Sequence, residues 1–194
     1  STNSGGSWVR TNSNGALVLV VSSTNRTTVY AGTSGGVFKS TDAGSTWTPT
    51  TGPPSDVISL AISPTNPAML FSGTYDLGVF RSVDSGSTWV GSSTGLAHLD
   101  VRALVVSPAV PGTIFAGSDR GVFNSADSGS RWVTVNNGLT YRRVNALALG
   151  PTSPATLYAG TTAGGVFRSV DSGNSWSPAN TGLTSANVYA LAID

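Results

Sequence analysis

The stretch SVDSGSTW, residues 82–89, places an aspartate among small polar residues and ends in a tryptophan. Near-copies occur at four other places: STNSGGSW (1–8), STDAGSTW (40–47), SADSGSRW (125–132) and SVDSGNSW (169–176). The five tryptophans of the chain all fall in these motifs, at successive intervals of 39, 42, 43 and 44 residues. This period matches the four-stranded blade of a β-propeller.

The segments between the motifs repeat as well, and each is short and rich in β-branched or aromatic residues. Segment A reads DVISLAIS, DVRALVVS or RVNALALG; segment B reads TVYAGT, MLFSGT or TIFAGS; segment C reads GVFKS or GVFRS. Segment D begins at the motif tryptophan. Gly, Pro, Asn and Ser bound all four segments, which is typical of strands. No window shows a sustained 3.6-residue apolar period, so helix is not expected.

The fold class predicted from this pattern is all-β, a propeller of four complete four-stranded blades with a lone strand at each end. The blades are expected at about 15–55, 56–99, 100–142 and 143–186, and the terminal strands at 1–14 and 187–194. Together they would form a single propeller domain or a propeller fragment.

Composition narrows the function classes. Charged residues make up 10% of the chain and the net charge is +1, without the basic stripe that nucleic-acid binding requires. The longest apolar run is far shorter than a membrane helix, so membrane insertion is not expected. No cysteine is present, all acidic residues are Asp, and His98 is the only histidine. We therefore expect no cofactor and no metal. The Ser/Thr-rich, Lys-poor composition favours a secreted, periplasmic or cell-surface protein.

A structural role is predicted for the motif residues, because a catalytic residue is rarely needed five times. The aspartate is expected to accept hydrogen bonds from backbone N–H groups two or three residues on. The glycine two residues later would supply a positive φ, and the tryptophan ring would pack between blades. This predicted structural set consists of Asn3, Asp42, Asp84, Asp127, Asp171, Trp8, Trp47, Trp89, Trp132 and Trp176.

The S-x-D-x-G-x-x-W pattern at this spacing resembles the Asp-box, or bacterial neuraminidase repeat, over nearly the whole chain. This repeat occurs in sialidases, sortilin-type receptors, xyloglucan-active hydrolases and photosystem II assembly factors. The resemblance implies a propeller whose Asp-boxes lie on the face away from any active site. It implies no particular activity, because the family shares the turn and not the chemistry. Asn3 departs from the pattern in the first copy.

Candidate binding residues come from the loops that vary between repeats. Because chain direction alternates along a blade, the B–C and D–A loops open on one face. One strand A position also varies (Leu17, Ile58, Arg102, Asn145, Tyr189), and we expect it near the channel mouth on that face. Such a surface suits sugars or peptides, although ordinary variation of solvated loops would look the same. The candidates are Tyr75, Asp76, His98, Asp100, Arg102, Asp119, Arg120, Tyr141, Arg142, Arg143 and Tyr189.

Three functions remain open. The first is a non-catalytic binding or scaffold propeller for a glycan or protein ligand. The second is a structural subunit of a larger surface assembly or fibre, which self-associates or joins the remainder of a longer chain through its terminal half-blades. The third is a fragment of an Asp-box glycoside hydrolase that uses two aspartates among Asp56, Asp76, Asp100 and Asp119. A sialidase is disfavoured because the chain contains no Glu.

Overall fold

The computed structural model describes residues 15–150 and 156–193, and among them it contains strands and no helix. The strands form four antiparallel four-stranded sheets, each a meander in chain order. The predicted propeller architecture is thereby confirmed. No helix in the described ranges is long and apolar enough to cross a membrane. The strands are β1 (Ala16–Val21), β2 (Val29–Thr33), β3 (Gly36–Ser40), β4 (Thr48–Pro49), β5 (Val57–Ile62), β6 (Leu70–Thr74), β7 (Val79–Ser82), β8 (Val90–Gly91), β9 (Val101–Val106), β10 (Ile114–Ser118), β11 (Gly121–Ser125), β12 (Val133–Thr134), β13 (Val144–Leu149), β14 (Leu157–Thr161), β15 (Val166–Ser169) and β16 (Ser177–Pro178).

The sheets stack side by side as blades 1 to 4, and the first strand of each blade contacts the first strand of the next. These inner strands pack against one another in the order β1, β5, β9, β13, and the two-residue strands β4, β8, β12 and β16 lie at the opposite edge of each sheet. The core consists of three apolar clusters, one between each pair of consecutive blades. Burial between sheets explains why both faces of an inner strand are apolar in sequence.

A glycine in the second strand of every blade permits this close stacking. A Cβ added to Gly73 would lie 2.6 Å from the carbonyl oxygen and 2.7 Å from Cγ1 of Val101, which belongs to the next blade. Gly32 meets Val57 in the same way, and Gly160 meets Val188. The glycine of the repeated A-G-T, S-G-T or A-G-S sequence is therefore required by the approach of the following blade.

The motif turns join the third and fourth strands of each blade. The aspartate side chain accepts from a backbone N–H four residues on, and not two or three residues on as predicted. Asp84 Oδ1 accepts from the N–H of Thr88, four residues on, at 2.9 Å, and Oδ2 accepts from the Thr88 hydroxyl at 2.6 Å. The backbone oxygen of Asp84 accepts from Ser87. The aspartate thus spans a longer loop than an Asx turn, which closes two residues on.

The first serine of the motif, to which the sequence prediction gave no role, completes this network. Ser82 is 1% exposed; its Oγ donates to Asp84 Oδ1 at 2.7 Å and accepts from the N–H of Gly86 at 2.9 Å. Two consecutive residues adopt positive φ, Ser85 at 58° and Gly86 at 78°. The same arrangement recurs around Asp42, Asp127 and Asp171.

These hydrogen bonds stabilise the ionised carboxylates. The hydroxyl of Thr88, its backbone N–H and the hydroxyl of Ser82 lower the pKa of Asp84 to about 2. The pKa values of Asp42 and Asp171 are likewise lowered to about 2 by equivalent donors. The pKa of Asp127 is also lowered, chiefly by the backbone N–H of Arg131, but Arg131 supplies no hydroxyl to its second oxygen.

The motif tryptophans do not all behave alike. Trp132 is 2% exposed, and its Nε1 donates to the Ser92 carbonyl of the preceding blade at 2.7 Å. Trp176 donates in the same way to Val135 at 2.8 Å. In contrast, the Nε1 groups of Trp47 and Trp89 donate within their own turns, to Gly44 and Gly86. The indole N–H of the motif tryptophan therefore bonds to the preceding blade in blades 3 and 4 and within its own turn in blades 1 and 2.

Of the two predicted terminal strands, the one at 187–194 is described as far as residue 193. The one at 1–14, with Asn3 and Trp8, lies outside the described residues. Residues 187–193 have no strand assignment because they pair with no other strand of the described chain. They nevertheless start where a fifth inner strand would lie: the N–H of Val188 donates to Thr161 O at 3.0 Å, and the Val188 side chain faces Gly160.

Candidate functional site

One open depression of about 400 Å³ lies at the axial end of the blades, where the inner strands begin. Its lining comes from the first residues of three inner strands and from two loops that connect the second and third strands of a blade. The side chains that line it are Ile58, Tyr75, Arg102, Arg143, Asn145, Thr162 and Tyr189. Four of the five residues at the variable strand A position are in this set; the fifth, Leu17, is not.

The fold explains why this position faces the mouth. Inner strands pair with their neighbours through a register shift between their first and third residues, for example between Val57 and Ser59. The second residue, Ile58, falls within this irregularity and lines the depression. Arg102 is the second residue of β9, and Asn145 is the second residue of β13. A bulge of this kind re-aims a side chain away from the regular ladder.

Arg102 is held in place by Asp100, two residues earlier. The two form an ion pair in which Nε and Nη2 of the guanidinium donate to Asp100 Oδ2, at 3.0 and 2.5 Å. The side chains are 22% and 18% exposed. The other carboxylate oxygen, Asp100 Oδ1, is buried and has no hydrogen-bond partner among the described residues. Asp100 therefore acts in the site through Arg102 and does not line the depression.

Arg143 is the second cation of the lining. It is exposed, and its side chain makes no hydrogen bond or ion pair with another described residue. Tyr75 and Tyr189 are 56% and 72% exposed, which leaves their rings accessible. One unpaired guanidinium and two aromatic rings thus face the same open space.

Asn145 and Thr162 contribute polar groups to the lining. Asn145 Nδ2 donates to Thr162 Oγ1 at 3.0 Å and to the Val188 carbonyl at 3.1 Å. These bonds fix the amide and the terminal segment together. Thr162 was not predicted as a site residue, because the loop sequence TTAGG gave no signal beyond ordinary turn composition.

The remaining predicted site residues lie outside the depression. Asp76 accepts from the Ser55 hydroxyl at 2.6 Å. His98 Nδ1 lies 3.4 Å from Asp119 Oδ1, although that oxygen has no well-formed hydrogen bond, and Arg120 Nε lies 3.9 Å from the other oxygen. Tyr141 packs over Gly164 and tilts against Phe167 at 6.5 Å, and Arg142 lines a separate depression with Asn136 and Asn174. The structure therefore divides the predicted set into an axial group and a scattered loop group.

The chemistry of the lining is hydrogen bonding, cation contact and ring stacking. Within the described residues, no group of three or more His, Cys, Asp or Glu side chains could hold a metal ion. A flat, polar ligand with hydroxyl groups or a negative charge matches Tyr75, Tyr189, Arg143 and Asn145.

Comparison with known proteins supports the fold. No protein-family model and no curated protein sequence matches the chain. Among solved structures, an ancestral GH74 enzyme superposes with a TM-score of 0.79 and 22% identity, covering 96% of this chain and 28% of that one. The GH74 xyloglucanase from Xanthomonas campestris superposes with a TM-score of 0.67 and 19% identity, covering 84% and 30%.

The RRP9 WD40 repeats are also similar, with a TM-score of 0.67, 18% identity and coverage of 87% of this chain and 52% of that one. The chain therefore spans less than a third of the two GH74 enzymes and about half of the WD40 structure. At these identities the likeness shows a β-propeller fold and nothing about activity.

Proposed function

We propose that the chain is a non-catalytic binding propeller of the Asp-box class that recognises a glycan in the axial depression. The observation that carries this proposal is the grouping of Tyr75, Arg102, Arg143, Asn145 and Tyr189 around one open space. Positions that differ between repeats meet there, whereas the repeated motif residues form hydrogen-bonded turns. A scaffold that is the same in every repeat and a depression whose lining differs between repeats are suited to the recognition of a ligand.

A glycan fits the lining better than an apolar ligand. Exposed tyrosine rings offer flat faces for sugar rings, and the amide and hydroxyl of Asn145 and Thr162 offer hydrogen bonds to sugar hydroxyls. The unpaired Arg143 favours sugars that carry a carboxylate. An exported location, suggested by composition, agrees with such a ligand.

Binding to an array of neutral and uronic-acid-containing oligosaccharides tests this proposal. Tyr75→Ala and Arg143→Ala should each weaken binding by about tenfold or more, since hot-spot aromatic and arginine side chains contribute at least that much. Arg142→Ala is the matched control, because the adjacent arginine lines a different depression. Equal losses from Arg142→Ala and Arg143→Ala, or no glycan bound by the wild type, would overturn the proposal.

A fragment of a glycoside hydrolase is the second candidate, favoured by the likeness to the GH74 enzymes. An acid–base pair would have to come from Asp56, Asp76, Asp100 and Asp119. Asp100 is paired with Arg102 and Asp76 is hydrogen-bonded to Ser55, and neither lines the depression. Release of reducing sugars by the wild type, abolished in Asp76→Ala or Asp119→Ala, would favour this candidate over the binding module.

A further inference from the structure

The charged residues on the face that carries the depression are separated by sign. This face is built from the segments that lead into the inner strands and from the loops between the second and third strands. In blade 2 these segments contain two acidic residues and no cation, Asp56 and Asp76. In blade 4 they contain two cations and no acid, Arg142 and Arg143. All four residues are exposed, so the charge of the face changes sign between blade 2 and blade 4.

Blade 3, which lies between these two blades, adds no net charge to the face. Asp100 and Arg102 form an ion pair, so the guanidinium in the middle of the lining is already neutralised. In the loop between β10 and β11, the Asp119 carboxylate faces Nε of Arg120 at 3.9 Å and Nδ1 of His98 at 3.4 Å. The paired charges of blade 3 therefore leave blade 2 acidic and blade 4 basic.

Both ends of this charge gradient adjoin residues that line the depression. On the acidic side, the backbone oxygen of Asp56 accepts from the N–H of Tyr75 at 3.1 Å, and Asp76 directly follows Tyr75 in the chain. On the basic side, Arg143 itself lines the depression, and its backbone oxygen accepts from the N–H of Thr162 at 2.9 Å. A ligand that extends from Tyr75 to Arg143 therefore meets a negative potential at one end and a positive potential at the other.

Neither end of the gradient is neutralised by a neighbouring side chain. Within the described ranges, Asp56 and Arg143 take part in no ion pair. Asp76 accepts a hydrogen bond from the Ser55 hydroxyl, which is neutral and leaves the carboxylate charge in place. At physiological ionic strength such charges act on ligand groups within about 8 Å.

We infer that the depression selects glycans by the position of their charge, with an acidic sugar bound beside Arg143 and an uncharged sugar beside Tyr75. This inference rests on the glycan-binding function proposed above and names the ligand class: a neutral oligosaccharide that carries a single uronic acid at one end. A chain of uronic acids is rejected, because its second carboxylate would approach Asp56 and Asp76. These two aspartates are thus specificity-determining residues that act by repulsion.

Isothermal titration calorimetry at low ionic strength tests the inference with three trisaccharides of the same backbone. One is neutral, one carries a single terminal uronic acid, and one carries a uronic acid at every position. The wild type should bind the singly acidic probe about three- to tenfold more tightly than either of the others, the effect expected of one charge roughly 8 Å away near a protein surface. The methyl ester of the singly acidic probe, which lacks only the charge, should bind like the neutral probe.

The double variant Asp56→Asn/Asp76→Asn should bind the fully acidic probe about three- to tenfold more tightly than the wild type does, with unchanged affinity for the neutral probe. Asp42→Asn/Asp84→Asn is the matched control. It removes two carboxylates from motif turns, which join the third and fourth strands and so lie at the other end of the blades from the depression. This control should keep the wild-type order of affinities, and circular dichroism checks that both variants are folded.

The possible results separate this inference from the binding function on which it rests. A wild type that binds none of the probes overturns both. A wild type that binds glycan without preferring the singly acidic probe overturns the charge selection alone. The same conclusion follows if Asp56→Asn/Asp76→Asn keeps the wild-type order of affinities, or if the motif-turn control changes that order equally.

Discussion

Replacing Gly73 by alanine should damage the contact between blades 2 and 3 more than any similarly small change at the outer edge. The added Cβ would lie 2.2 Å from Ser59 Oγ, 2.6 Å from Val101 O and 2.7 Å from Val101 Cγ1. The serine hydroxyl can rotate, but the carbonyl belongs to β9, which is paired with β10 and cannot retreat alone. Blade 3 must therefore move away from blade 2.

Overpacking of this kind costs about 1–3 kcal/mol, and we expect the upper end because one contact is backbone. At about 2–4 °C per kcal/mol for a chain of this size, the melting temperature should fall by about 6–12 °C. Gly91→Ala is the matched control, since a Cβ there meets nothing within 4 Å. Its free energy of unfolding should change by about 0.5 kcal/mol or less.

Urea unfolding followed by tryptophan fluorescence gives the free energies, and thermal circular dichroism gives the melting temperatures. The comparison that matters is the difference between the two alanine variants. If Gly73→Ala is as stable as Gly91→Ala, the close approach of the blades is not what requires glycine in the second strand.

Three further results are expected. Trp132→Phe should lower the free energy of unfolding by about 1–3 kcal/mol, because it leaves a buried carbonyl of the preceding blade without its donor; Trp47→Phe, whose bond lies within its own turn, should cost less in the same urea experiment. The melting temperature should fall as the pH drops from about 4 towards 2, because the folded pKa of Asp84 is about 2, below its unfolded value, and the stabilisation is lost as the carboxylate protonates; Asp84→Asn should flatten this fall. Arg131→Thr should lower the pKa of Asp127 further, by adding the hydroxyl donor that its turn lacks, as a carbon-detected NMR titration would show.

The repeat made the architecture predictable. Each strand has the same local pattern, a short run of β-branched residues between turn formers, and this pattern recurs several times in the chain. The A-to-D order within a blade follows from the same segments. Pairing partners such as Leu60 with Ser72 then follow from the meander, because each strand simply turns back on the one before it.

The geometry of the motif turn was harder to predict. Ser82 was overlooked because a buried serine and a turn serine have the same sequence signal, and its role depends on its hydrogen bonds to Asp84 and Gly86. The positive φ of Ser85 has no signature, since serine normally avoids that region. The different behaviour of Trp47 and Trp132 depends on the neighbouring blade and not on the motif itself.

For the candidate site, the positions of residues on the inner strands could be predicted better than the positions of residues in the loops. The variable position recurs at the same point of segment A in every repeat, so the sequence predicted a place near the axis for Arg102, Asn145 and Tyr189, and all three line the depression. Loop residues such as Asp119 and Tyr141 have no such constraint. Asp119 lies beside His98, and Tyr141 packs over Gly164. Thr162 was missed for the same reason.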